Sequence, residues 1–161
     1  MIFKGELEMT NIDLQEAIKT AMQTEKDAMD YYRLAAEKMA DERCSKTFKS
    51  LARDEAQHAR SFFNVYSGGD IPSFDDFING PVNEDSSWFN VLRQTMLGDF
   101  DERKALELAI EQEEALEKEL RAMAEKIDNP IIKEVYRANA HSTHHHMLDI
   151  EEDYKDLFGM S

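Results

Sequence analysis

Residues 44–65 read CSKTFKSLARDEAQHARSFFNV, and their periodicity decides the fold. Cys44, Phe48, Leu51, Glu55, His58, Phe62 and Val65 recur at alternating steps of four and three, the seam of a helix turned towards neighbouring helices. The run stops at the Ser67-Gly68-Gly69 breaker. Two of the inward positions, Glu55 and His58, are ionisable and lie three apart, hence on one helix face. A carboxylate on an apolar seam needs a partner, because desolvating an unpaired ion costs roughly several kcal/mol.

Outward from this stretch, the same spacing predicts three more helices. The first carries Leu14, Ile18, Ala21, Glu25, Ala28, Tyr32, Ala35 and Met39, with Asn11 or Asp13 as its cap. The third carries Leu106, Ala109, Glu113, Leu116, Leu120, Met123 and Ile127, capped by Asp99 or Asp101. The fourth opens at Asn129-Pro130, and its inward face reads Ile131, Val135, Ala138, His141, His144 and Leu148. From Ser67 to about Phe100 the composition shifts to Gly, Pro, Asp, Asn and Ser with interspersed aromatics, and Ser86 or Ser87 caps a short helix around Trp88–Leu97. A loop this long has a job, and crossing the length of a bundle is one. The expected fold is therefore all-α: a ferritin-like four-helix bundle of two antiparallel helical hairpins joined by a long crossover. It forms one domain over residues 11–159, with 67–100 as the crossover and 1–10 as an N-terminal tail.

The two hairpins echo each other. Ala21-x-x-x-Glu25 resembles Ala109-x-x-x-Glu113, and Ala52-x-x-Glu55-x-x-His58 resembles Ala138-x-x-His141-x-x-His144. Related by a pseudo-twofold axis, they would bring Glu25, Glu55, His58, Glu113, His141 and His144 to one level of the core. Converging carboxylates repel one another, and a transition-metal cation removes both that cost and the cost of burial. One Glu from each of two helices plus Glu-x-x-His motifs is the donor pattern of di-iron and di-manganese bundles. His145, four residues after His141, is an alternate ligand, Asp54 a candidate to orient an imidazole, and Tyr32 a neighbour two turns from Glu25. The competing structural reading pairs the glutamates with Lys26, Arg53 or Arg60, which fall off the seam.

Composition bounds the function. Asp+Glu number 34 against 19 Lys+Arg, a formal net charge of −15, which argues against nucleic-acid and anionic-membrane partners. A single Cys44 excludes a four-cysteine site. The start MIFKGELEMT lacks a signal-peptide core and no stretch approaches the roughly 18–20 apolar residues of a membrane span, so a cytoplasmic location is expected.

From about Asp13 to Tyr154 the chain resembles the rubrerythrins of the ferritin-like superfamily. Glu25 followed by Tyr31-Tyr32, Asp54-Glu55-Ala-Gln-His58, Glu113 and His144 carry the resemblance. It implies a non-haem iron centre of one or two ions, with zinc or manganese as alternatives, peroxidase or ferroxidase activity, and a homodimer. It departs from the family pattern where His141-x-x-His144 replaces Glu-x-x-His, leaving three carboxylates instead of four. The family's full-length members also carry a rubredoxin module, which one cysteine cannot form, so a redox cycle implies an external electron donor. The alternatives are a metal-sequestering or structural protein without turnover, and a mononuclear or zinc site.

Overall fold

A computed structural model describes residues 9–159, so residues 1–8 of the expected tail lie outside the described residues. Six helices follow in order: α1 (Asn11–Lys38), α2 (Glu42–Phe63), α3 (Phe74–Ile78), α4 (Ser87–Thr95), α5 (Glu102–Lys126) and α6 (Pro130–Phe158). No strand occurs among the described residues. The four long helices are those expected, and local chemistry sets their ends. Thr10, rather than Asn11 or Asp13, caps α1 by accepting from the Asp13 amide. Asp41 caps α2, Asp101 caps α5 and Ser86 caps α4. Gly69, at φ 81°, takes the left-handed turn that leads the chain away from α2.

Asn129 accepts at Oδ1 from the amides of Ile131 and Ile132, at 2.9 and 3.1 Å, with Pro130 as the first helical residue. Asn129→Ala is expected to cost about 1 kcal/mol, a melting-point loss of roughly 2–4 °C by circular dichroism. An unchanged melt would mean that the cap carries nothing.

Contacts fix the directions of the helices. The amide of Ser67, just past α2, donates to Gln15 near the start of α1, so these two helices are antiparallel. Arg43 at the start of α2 bonds Asp153 and Asp156 near the end of α6, and Tyr154 reaches Arg103 at the start of α5. Consequently α2 and α5 run the same way, and the chain between them must travel the length of the bundle, roughly 35 Å for a helix the size of α5. That is the ferritin-like arrangement.

The crossover is pinned on its way. Trp88, on α4, is 2% exposed, with its ring 5.3 Å from Tyr31 and 5.4 Å from Tyr32, centroid to centroid. Lys26 Nζ, buried on α1, donates to the Pro81 carbonyl at 3.1 Å while pairing with Asp30 at 2.7 Å.

The inward face of α6 differs from the one read in the sequence. Ile131 is 69% exposed and Leu148 45%, whereas Ile132, Tyr136, Asn139, Ala140, Thr143, His146 and Ile150 are buried. Two apolar clusters fill the bundle's ends: Tyr31, Tyr32, Phe48, Leu51 and Leu106 at one, Ile18, Met22, Phe62, Leu120 and Tyr136 at the other. A polar layer separates them.

Candidate metal centre

Glu25 on α1, Glu55 on α2 and Glu113 on α5 all have zero exposure, as their seam positions require. His58, one turn after Glu55, turns Nδ1 to within 3.3 Å of Glu25 Oε2 and 3.4 Å of Glu55 Oε1. The structure thus brings together the four donors expected from the first three helices.

It does not bring His141 or His144 to them. His141 and His145 are exposed, and His144 is turned outwards onto Glu117, its Nδ1 2.9 Å from Oε1. The histidine that α6 sends into the layer is His146, 3% exposed, with Nδ1 2.9 Å from Glu55 Oε1 and 3.9 Å from Glu113 Oε2. Its ring stacks on that of His58, with centroids 5.2 Å apart and planes 10° from parallel. Residues 144–146 each rotate about 100° from the last, so only one of them faces inwards.

A signal for this register lies in the repeat. From Glu25 to Glu55 is 30 positions, and from Glu113 to Thr143 is also 30; Glu25 to His58 and Glu113 to His146 are both 33. The counterpart of Glu55-x-x-His58 is therefore Thr143-x-x-His146. Thr143 takes the place of a fourth carboxylate, and its hydroxyl donates back to the Asn139 carbonyl at 2.7 Å.

Outer contacts orient the donors. His58 Nε2 is 2.9 Å from Ser142 Oγ, and His146 Nε2 is 3.2 Å from Asp54 Oδ2. Both rings thus keep Nδ1 for the interior. Tyr32 donates its hydroxyl to Glu113 Oε1 at 2.7 Å. This is the arrangement by which partners beyond a metal fix the tautomer and angle of its ligands.

The layer does not balance by itself. Among the described residues no Lys or Arg pairs with these glutamates; Lys26 is spent on Asp30 and Arg60 on Asp75. Glu25 Oε1, both oxygens of Glu55, Glu113 Oε2 and His146 Nδ1 are buried without a hydrogen-bond partner. The close approach of His146 Nδ1 to Glu55 Oε1 therefore lacks hydrogen-bond direction. Burial, together with the Glu25 and Glu113 charges, pushes the Glu55 carboxyl well above the usual carboxylate range. Burial likewise raises Glu113 to about 8, against the bond from Tyr32. Burial also acts to raise Glu25, but the bond with His58 outweighs it and holds that carboxyl low. Burial and the nearby His58 lower His146. A cation at the centre answers all of this, and donor atoms of Glu55, His58 and His146 lie within 4.8 Å of one another.

Residues 1–66 match the family model described as Rubrerythrin. The matched span contains the hairpin α1–α2 and with it Glu25, Glu55 and His58. No curated protein and no solved structure matches the chain.

Proposed function

The chain being rubrerythrin-like over its first hairpin, we propose that it is a non-haem iron protein that holds one or two ions between Glu25, Glu55, Glu113, His58 Nδ1 and His146 Nδ1. The observation that carries this reading is the set of unpartnered buried oxygens on three carboxylates facing two imidazole nitrogens. A ferrous ion held there supplies the electrons for reducing peroxide or dioxygen, and an external donor restores them. The protein's own residues do the rest. Asp54 and Ser142 hold the imidazole rings at the angle the centre needs. Tyr32 anchors Glu113, and the two apolar clusters keep bulk water from the layer. A surface groove of about 340 Å³ between α2 and α6, lined by His58, Ser61, Val135, Asn139 and Ser142, gives small molecules a way to the edge of the His58 ring.

Thr143 favours a second reading of the nuclearity. Three carboxylates against two divalent ions leave a net charge of +1, and against one ion −1. A single tightly held ion, sequestered without turnover, is the form this would take.

Anaerobic Fe(II) titration separates these readings from a purely structural one. Wild-type protein is expected to melt higher with Fe(II), and to consume peroxide faster than free iron does. His146→Ala is expected to weaken Fe(II) binding by roughly 10–100-fold or more, whereas His141→Ala leaves it unchanged. Equal losses in both variants, or no Fe(II) binding by the wild type, would end the proposal. Binding without peroxide consumption would select sequestration, and the anomalous signal of a crystal would count the ions.

A further inference from the structure

Three of the five histidines stand outside the core layer, and two of them, His141 and His145, are one turn apart on α6. Both are exposed, and their ring centroids are 4.6 Å apart with the planes at 78°. Neither makes a hydrogen bond or an ion pair among the described residues, unlike His144, which is held on Glu117. We propose that His141 and His145 form a second metal site on the surface, one that takes a single divalent ion of the nickel, copper or zinc class.

The helix does most of the organising. Residues four apart project from one face with their Cβ atoms about 5–6 Å apart, so side-chain rotation alone can turn both imidazoles onto one ion. Two imidazoles on one tetrahedral ion, at metal–nitrogen distances of about 2.0–2.1 Å, place their centroids roughly 5 Å apart, close to the separation seen here. A pair of histidines at this spacing on one helix face is the same bidentate unit that helical zinc sites use. Water completes the coordination, since the face is open. Asp149 lies one further turn along and is also exposed, placing a negative charge near the pair on a chain whose formal net charge is −15.

The donor chemistry separates this site from the core. Two neutral imidazoles without a bound carboxylate follow the order in which nickel, copper and zinc outrank iron and manganese. The core offers three carboxylates with two imidazoles, which suits the harder ions. His145 and His146 are adjacent, yet point about 100° apart, so the two sites do not share a ligand.

The test counts Ni(II) ions per chain by equilibrium dialysis with elemental analysis, on the wild type, the double variant His141→Ala/His145→Ala, and Glu55→Gln. Both replaced histidines face solvent and alanine favours helix, so the double variant folds, as its circular dichroism will verify. The double variant is expected to bind one Ni(II) fewer than the wild type while keeping the Fe(II)-induced rise in melting temperature. Glu55→Gln is expected to retain the surface ion, and His141→Ala alone to weaken it at least tenfold. The same Ni(II) count and affinity in the double variant as in the wild type would overturn the site. So would a Glu55→Gln variant that binds no Ni(II) at all, because every ion would then belong to the core. Because Glu55→Gln removes the core reading and the double variant removes only this one, failure of either proposal leaves the other standing.

Discussion

Glu55→Gln is expected to raise the melting temperature of the metal-free protein and, in the same variant, to abolish most of the rise that Fe(II) produces. The side chain has zero exposure, both of its oxygens lack partners, and two further carboxyls face it. An amide of the same shape carries no charge to desolvate, and its NH2 can donate to Glu25 or Glu113. Relief of a buried uncompensated group is worth about 1–3 kcal/mol, or roughly 3–10 °C for a chain of this length. Fe(II) at about 100 times its dissociation constant stabilises the wild type by about 2.7 kcal/mol, of similar size in temperature. Without Glu55, the residue within reach of both imidazoles, that gain should shrink to under about 2 °C. Opposite shifts in one variant are the signature of a position selected for an ion at a cost in stability. Differential scanning calorimetry with and without Fe(II) reads both; a metal-free variant that melts below the wild type would contradict the account.

Trp88→Ala should be the most damaging single truncation of the crossover, lowering stability by about 3–5 kcal/mol and the melting temperature by roughly 8–15 °C. The indole fills the space over Tyr31 and Tyr32, and no other large side chain of α4 is as deeply buried. Tyr31 ties α1 to α5 by donating to the Ala105 carbonyl at 2.7 Å, and Tyr32 holds Glu113, so the cavity would open beside both links. Urea unfolding followed by far-ultraviolet circular dichroism measures the loss. A change below about 1 kcal/mol would mean that the crossover merely drapes over the bundle.

The sequence disclosed the first, second and third long helices because each alternates one apolar stripe with abundant charge. Ile18, Glu25, Ala28 and Tyr32 on α1, and Phe48, Leu51, Glu55 and His58 on α2, are buried as their spacing requires. On α6 two stripes compete. Ile131, Val135 and Ala138 form one self-consistent face, and Ile132, Tyr136 and Ala140 another, offset by one or two residues. Periodicity has no means of choosing between them. Packing chooses the second, which carries the larger side chains, Tyr136 among them, and whose polar members are satisfied locally: Asn139 donates to the Val135 carbonyl at 2.7 Å. Reading the first stripe as inward turns His141 and His144 towards the core, where packing instead places His146. Matching the intervals of the two halves, 30 and 33, would have corrected it. The five-residue α3 was not visible because it is too short for any period to register, although Ser73 caps it in the ordinary way. Asp54, read as a possible orienting group, does meet an imidazole, but that of His146.

The donors are divided between the hairpins, three on α1–α2 and two on α5–α6. An ion seated among them would act as a rivet through two plates that are otherwise joined by a long strap, by side-chain packing and by a few links such as Tyr31 to the Ala105 carbonyl and Arg43 to Asp153. Loading would thereby stiffen the whole assembly. Loss of such an ion would be expected to loosen the seam between the plates before either plate lost its own shape.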